Sequence, residues 1–407
     1  MKEKIKKLIE KGVDIKNPDT LEIGDEVNSD NISKNITIHT GCKIFGQKTS
    51  IMDGTTIGYE APVTIENCQI GPDVQLKGGF FKEAVFLKKS SMGYGAFVRP
   101  GTILEEEANC AHTVALKQTI LFPFVTLGSL INFCDCLMSG GTSRKNHSEV
   151  GSSYIHFNFT PNQDKATPSI MGDVPRGVML DNNPIFLGGQ GGIAGPCIIN
   201  FGTVIAAGSI YRKDQLKENM LVIEGGQRGK MPFNQGIYQS ISRIIKNNIF
   251  YITNLCALRQ WYLFIRSMFI GKDFSIKLYG GLTNNIDDAI TERITRLEDF
   301  KNKLKISIDY YTKKGNNSDY FLVKQKHFYD NFDHIKSTLN DEINYTGDIP
   351  LRDLLLNKID IEKNNHDNDY IKTIQSLDKE TKINGTKWLN GIVEEISNKI
   401  ICQLPDF

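Results

Sequence analysis

Residues 187–211 read LGGQGGIAGPCIINFGTVIAAGSIY, and every sixth residue in this stretch has a large, mostly aliphatic side chain. These positions are Leu187, Ile193, Ile199, Ile205 and Tyr211. A period of six is typical of a parallel β-helix, in which each coil has three short strands and each strand points one such side chain inward. One coil cannot bury its own apolar side chains, so several coils must stack.

The same period recurs in a second, separate part of the sequence. Its positions are Met92, Val98, Leu104, Cys110 and Leu116. Shorter runs are Ile38 and Ile44, then Ile51, Ile57 and Val63, then Ile70 and Leu76. The alternative is a sandwich of short strands, which would alternate with period two and turn about every 8 to 12 residues. The six-residue spacing favours the β-helix. We predict a β-helix domain over residues 21–230, after an N-terminal helix and entry segment over 1–20.

The second half changes to the spacing of α-helices. A turn-forming stretch, Glu224–Pro232, marks the boundary, and we predict an all-α domain over residues 231–407. Helices are predicted from about 237 to 262 and 286 to 308, with Asn285 as the N-cap of the latter, and then near 318–340, 349–363 and 386–402. The open end of the β-helix is expected to be covered by the chain after Tyr211 and the first of these helices, because a bare last coil exposes strand edges.

The composition is that of a folded protein with room for two domains. The chain has 407 residues, of which 40% are hydrophobic and 23% charged. Its 48 Lys and Arg against 47 Asp and Glu argue against a nucleic-acid binder, which usually has a basic excess. The start, MKEKIKKLIEKGV, lacks the apolar core of a signal peptide, and no window is apolar enough to span a membrane. We therefore expect a cytoplasmic protein with reduced cysteines.

Three motifs resemble one family of β-helix enzymes. They are Arg99-Pro100-Gly101 with Lys117, then Phe157-Asn158-Phe159 with Lys165, then Gly195-Pro196 through Ala206-Ala207-Gly208. With these motifs the chain, up to about residue 223, resembles the left-handed β-helix acetyltransferase half of the bifunctional enzymes that make UDP-N-acetylglucosamine. The resemblance implies a left-handed β-helix, acetyl-CoA or another acyl-CoA as co-substrate, and a homotrimer whose sites are shared between subunits. No metal is expected, since Cys134-x-Cys136 lacks a partner pair at zinc spacing.

The resemblance also implies roles for particular residues. Arg99 and Lys117 would hold a sugar phosphate, because Arg offers a planar fork of donors and Lys a point charge. The alternative is a pair of solvated surface cations. The further substrate-binding candidates are Asn132, Asn158 and Lys165, and the candidates for contacting acetyl-CoA are Phe159, Gly189, Ala206, Ala207 and Arg228.

The sequence departs from the family at the catalytic base. The family's histidine falls on Ser129, and a serine alone does not deprotonate an amine near neutral pH as a histidine can. His156 is the best-placed substitute in the sequence and His147 the second; His112 ranks below them. For each, the alternative is a structural or solvent-exposed histidine. The family's tyrosine is replaced by Phe159 in the loop after Asn158, where Lys165 is also offset by one position.

These observations leave three functions open. The first is an acyltransferase of the nucleotide-sugar pathway that acts on an amino-sugar phosphate or a nucleotide-linked amino sugar. The second is a non-catalytic trimeric scaffold that binds a phosphosugar or nucleotide sugar while its helical domain contacts an unknown protein; the serine at position 129 motivates it. The third, a sugar-phosphate nucleotidyltransferase, is disfavoured because no stretch resembles the family's Gly-rich uridyltransferase signature.

Overall fold

The computed structural model describes residues 3–225, 233–314 and 320–404. Its N-terminal part is a parallel β-helix with three faces, as predicted. The first face is a sheet of 11 parallel strands. These strands are Asp14–Ile15, Thr37–Ile38, Thr56–Ile57, Gln75–Leu76, Ser91–Met92, Asn109–Cys110, Thr126–Leu127, Glu149–Val150, Phe186–Leu187, Val204–Ile205 and Leu221–Val222.

The second and third faces form one sheet of 16 strands, because two long strands bend around the corner between them. The long strands are Val114–Leu121 and Ile131–Met138. The second face also contains Glu22–Ile23, Lys43–Phe45, Val63–Glu66, Gly79–Lys82, Ala96–Val98, Ile155–Phe157, Gly192–Ala194 and Ile210–Tyr211. The third face also contains Ser50–Ile51, Gln69–Ile70, Ala84–Phe86, Thr102–Leu104, Ser169–Met171 and Ile198–Ile199. An antiparallel pair, Gly141–Ser143 with Asn146–His147, protrudes as an insertion.

The core of the β-helix is the predicted ladder of apolar side chains. Leu187 pairs in register with Ile205, and Ile193 with Tyr211, so that each coil advances by three six-residue steps. All four side chains are buried. The six-residue period therefore places one inward-pointing side chain on each face of each coil, and the stacking of coils removes these side chains from water.

Helices cover one end and one side of the β-helix. Helix α1 (Glu3–Lys11) buries Ile5 and Leu8 against the first coil, and the short α2 (Val174–Gly177) lies within the β-helix region. The C-terminal part contains α3 (Ser242–Phe264), α4 (Ile276–Lys313), α5 (Tyr320–Glu342), α6 (Ile349–Asn365), α7 (Tyr370–Ser376) and α8 (Lys379–Ile401). Single 3₁₀ turns occur at Pro18–Thr20, Ser29–Asn31 and Arg266–Phe269. In the described ranges, no helix is both long and apolar enough to cross a membrane.

Several details of the helical region differ from the prediction, and among them α8 begins at Lys379, seven residues before the predicted 386. Helix α4 begins ten residues earlier than predicted, because Ser275 caps it by accepting a hydrogen bond from the Leu278 amide at 3.3 Å. Asn285 is instead a buried residue within α4, where it donates to the Gly281 carbonyl at 3.0 Å. Helix α7 was not predicted, since its seven residues are too few to show a clear helical period.

The helical region packs on the third face, not over the end of the β-helix. Tyr262 Oη donates to Glu105 Oε1 at 2.6 Å, and Arg266 Nη2 lies 2.5 Å from Glu106 Oε1. In the last coil, Val222 continues the inward column of Leu187 and Ile205 and is only partly buried. Helix α3 reaches this part of the β-helix from the side, where Asn247 Nδ2 donates to Asp214 Oδ1 at 2.7 Å. The expectation that the first helix covers this end is therefore wrong. Helix α4 contacts successive strands of the third face and lies beside the corner that this face shares with the second.

Candidate functional site

One corner of the β-helix collects most of the predicted substrate residues. We call it the Arg99 edge: Arg99, Lys117, Cys134, Asp135 and Asn158, at the corner between the second and third faces. Val98 pairs with Leu116, and Lys117 with Cys134, so Arg99, Lys117 and Cys134 stack on three consecutive coils. The register thus places the two predicted phosphate ligands side by side.

Among the described residues, the two cations of this edge have no carboxylate within ion-pair distance. Arg99 Nη2 donates to Cys134 Sγ at 3.4 Å, while Arg99 Nε is buried without a hydrogen-bond partner in the described part of the chain. No ion pair within the described ranges involves Arg99 or Lys117. By contrast Lys82, which precedes Arg99 in the same stack, pairs with Glu66 at 2.8 Å. Two adjacent unneutralised cations form an electrostatic site for an anion.

Cys134 is a poor nucleophile in this position. Burial, and then the Asp135 carboxylate, raise the pKa of its thiol above the ordinary value. The thiol donates to Asn132 Oδ1 at 3.4 Å, which links the exposed Asn132 to the Arg99 edge. The sulfur therefore positions its neighbours and stays protonated at neutral pH.

Asn158 is held by a buried carboxylate. Its Nδ2 donates to Asp135 Oδ2 at 2.9 Å, and Arg293 of α4 donates to Asp135 Oδ1 at 2.7 Å. The loop that follows Asn158 carries Phe159, which is 63% exposed, and Lys165, which is half-buried. The structure thus brings Arg99, Lys117, Asn132 and Asn158 together, with Phe159 and Lys165 on the adjoining loop.

The opposite corner of the second face collects three of the five predicted acetyl-CoA residues, while Phe159 lies on the loop beside the Arg99 edge. We call it the Ser129 edge: His112, Ser129, Gly189, Ala206 and Ala207, at the corner between the first and second faces. The turns of this edge follow strands that stack in register from Asn109–Cys110 to Val204–Ile205. The coils approach closely here, since a Cβ on Gly188 would lie 2.3 Å from the Ala207 amide nitrogen. Arg228 lies outside the described residues.

A histidine reaches the serine that replaces the family's base. His112 Nδ1 lies 2.9 Å from Ser129 Oγ, and both side chains are at the surface. When Nδ1 carries the proton and donates to Ser129, Nε2 is left with a lone pair that can accept a proton. Sequence reasoning ranked His112 below His156 and His147, since a lone histidine is more often structural or exposed than catalytic. The separation of His112 and Ser129, about one coil, is the signal that points to the contact.

The two higher-ranked histidines lie elsewhere. His156 is 2% exposed and points into the core ladder, opposite Ile193. Its Nδ1 lies 2.6 Å from the Cys134 carbonyl and its Nε2 2.8 Å from Ser169 Oγ, and burial lowers its pKa to about 4. His147 sits on the antiparallel pair before the first face, 3.9 Å from Glu149. His147 lies on neither edge, whereas His156 lies inside the β-helix beneath the Arg99 edge and has the contacts of a core residue.

The two edges are far apart in one chain. From Ser129 to Cys134 the chain advances five residues along the second face, which is about 16 Å in extended conformation.

In the described ranges no cluster of three or more His, Cys, Asp or Glu residues is arranged to hold a metal ion.

No protein-family model matches the chain, but curated relatives match about half of it. The Bifunctional protein GlmU of Acinetobacter baumannii (strain AYE) is 28% identical over 202 residues, which are 49% of this chain and 34% of that protein. GlmU of Thermotoga petrophila is 26% identical over 212 residues, 52% of this chain and 42% of the relative. GlmU of Corynebacterium aurimucosum is 24% identical over 217 residues, 53% and 39% of the two chains. The chain thus matches less than half the length of these relatives, and the likeness supports a GlmU-like domain of hexapeptide repeats.

Proposed function

We propose that this protein is an acyltransferase of the nucleotide-sugar pathway. It moves an acetyl group from acetyl-CoA to the amino group of an amino-sugar phosphate or a nucleotide-linked amino sugar. The observation that carries the proposal is the pair of unneutralised cations, Arg99 and Lys117, stacked beside Asn158 on one edge. The resemblance of the motifs and the partial likeness to GlmU support it.

The Arg99 edge is the acceptor half of the proposed site. Arg99 binds phosphate oxygens with its planar fork, Lys117 adds a point charge, and Lys165 approaches from the loop. Asn158, whose Nδ2 is engaged by Asp135, presents its carbonyl oxygen to the acceptor amine. Asn132 supplies a further polar contact on the same face.

The Ser129 edge is the acetyl-CoA half of the proposed site. Glycine and alanine leave the backbone open to close approach by the pantetheine arm at Gly189, Ala206 and Ala207. Phe159 and Arg228 complete the proposed set of contacts. The amine nitrogen attacks the thioester carbonyl carbon, the carbon–sulfur bond breaks, the thiolate leaves, and the amine proton passes to a base. We assign that base to His112 Nε2, with Ser129 orienting the ring through Nδ1.

The separation of the two edges calls for more than one chain at each site. In a hexosamine 1-phosphate the amine and the phosphate are on neighbouring ring carbons, so a gap of about 16 Å cannot be bridged within one chain. A homotrimer in which the Ser129 edge of one copy meets the Arg99 edge of the next would complete the site. All eight cysteines are free thiols, in keeping with the proposed cytoplasmic location.

Product mass spectrometry tests the proposal directly. Purified protein is mixed with acetyl-CoA and glucosamine 1-phosphate, with UDP-linked amino sugars as parallel acceptors. The expected product is heavier than the acceptor by one acetyl group. Arg99→Met and Lys117→Met should each lower kcat/KM for the acceptor about tenfold or more, the value of one charge-assisted contact. Lys82→Met is the matched control, because that cation is already paired with Glu66, and it should leave kcat/KM unchanged.

A binding scaffold is the second candidate, and the serine at position 129 favours it. It would be supported if no acceptor is acetylated while the wild type retains the phosphosugar and Lys117→Met releases it. Nucleotidyl transfer ranks third, and release of pyrophosphate from UTP and N-acetylglucosamine 1-phosphate would revive it.

A further inference from the structure

The loop that carries the candidate acceptor residues is held by the helical region along its length. Tyr238 Oη donates to Asp164 Oδ2 at 2.9 Å, and Lys303 Nζ donates to the Asn162 carbonyl at 3.1 Å. Further on, Asn248 Nδ2 donates to the Ala166 carbonyl at 3.0 Å. Residues 158–168 form no strand, so these contacts replace the ladder that orders the rest of the coil.

The start of this loop is held by a relay of three side chains. Arg293 Nη2 donates to one oxygen of Asp135 at 2.7 Å, and the other oxygen accepts from Asn158 Nδ2 at 2.9 Å. The Arg293 and Asp135 side chains are only 2% and 5% exposed. Asp135 has a φ of 63°, at the bend of the long strand, so its carboxylate is fixed at the corner by the backbone. Charge-assisted hydrogen bonds away from water hold their geometry well.

Stability alone does not explain a buried arginine at this position. A buried ion pair contributes little net stability, because removing two charges from water offsets their attraction. Within the described ranges, Arg293 Nε and Nη1 are buried without hydrogen-bond partners, which adds to that cost. A guanidinium retained under these conditions is better explained by the geometry that it imposes on Asp135 and Asn158.

We infer that Arg293 is a positioning residue for the acceptor half of the site. It acts through Asp135 to fix the amide of Asn158, and through Asn158 the start of the loop that carries Lys165. The helical region is then one wall of the transferase site, not a separate module. This inference rests on the proposed function for the role of Asn158, but the relay itself is measurable without any turnover.

The test combines hydrogen exchange with kinetics on the full-length protein. Arg293→Met removes the guanidinium, and Arg293→Lys keeps one charged donor. Arg296→Met is the matched control, because Arg296 lies on the same helix but pairs with Glu292 and Asp299 of α4. The double variant Arg293→Met with Asp135→Asn removes both charges of the relay without leaving a buried unpaired carboxylate, and serves if the single variant does not fold.

The expected result is local. Amide exchange in peptides spanning 157–166 should rise about tenfold in Arg293→Met, while peptides spanning 96–104 stay unchanged. In Arg293→Met the KM for glucosamine 1-phosphate should rise about tenfold, with a smaller change in kcat. Arg293→Lys should show a smaller rise in both the exchange rate and the KM, and Arg296→Met should show no rise in either.

Three results would overturn the inference. In the first, amide exchange at 157–166 stays at the wild-type rate in the variants that lack the guanidinium. In the second, Arg293→Lys raises the exchange rate and the KM as much as Arg293→Met does. In the third, the control Arg296→Met raises them as much as Arg293→Met does. If the wild type transfers no acetyl group, the proposed function fails, and the exchange rates alone then decide whether Arg293 positions Asn158.

Discussion

Two inactive chains should restore activity when they assemble together. His112→Gln removes the proposed base from the Ser129 edge, and Lys117→Met removes a cation from the Arg99 edge. The edges lie about 16 Å apart in one chain, so each site is expected to draw on two copies. In a randomly mixed trimer a site is intact only when one copy supplies His112 and the next supplies Lys117. With equal amounts the chance is one half times one half, so activity should recover to about a quarter of wild type.

The assay needs differently tagged chains that are co-expressed and a proof that they co-assemble. Acetylated product is quantified by mass spectrometry against each variant alone and the wild type. The matched control is a mixture of Arg99→Met with Lys117→Met, since both residues belong to the same edge and no mixed site is then complete. Recovery limited to the residual activity of the parent variants, in assemblies that carry both tags, would refute a site shared between copies. Recovery in the Arg99→Met mixture would refute the assignment of both cations to one half-site.

Three further outcomes are expected. Burial lowers the pKa of His156 from 6.5 to about 4, so as the pH falls through that range the unfolded imidazole is protonated first and the wild type loses about 3 kcal/mol of its free energy of unfolding. His156→Leu should remove this loss and should also lower the urea midpoint at pH 7. Urea melts at pH 7 and pH 4 measure both effects. Burial raises the pKa of Glu105 from 4.5 to about 7, so the stability that its protonated form contributes is present below pH 4.5 and lost as the pH rises to about 7. Glu105→Gln should therefore be more stable than wild type at pH 8 and equal to it at pH 4.5 in thermal melts, with Glu107→Gln unchanged at both. Ala207→Tyr should raise the KM for acetyl-CoA about tenfold and leave the KM for the acceptor unchanged in steady-state kinetics, because the new ring crowds only the Ser129 edge.

The contacts within the helical region and between the two parts were less predictable than the β-helix. Helical spacing indicated where helices occur, but it did not indicate where α4 begins. The helix begins after the Ser275 cap, whereas the clearest apolar spacing begins ten residues later, at Ile286. His156 was attractive because it lies two residues before Asn158. Successive side chains of a strand point to opposite faces, however, and His156 points into the core while Phe157 points outward.

The sequence by itself determined the β-helix and the Arg99 edge. Strands of a parallel β-helix pair with the next coil, so the pattern that buries Leu187 on Ile205 is contained in 18 neighbouring residues, and the same spacing puts Arg99 next to Lys117. A similar spacing, about one coil, relates His112 to Ser129, whereas only the tertiary structure decided that Arg293 reaches Asp135. The latter pair is 158 residues apart and joins a helix to a corner of the β-helix, and no local periodicity records which helix packs on which face.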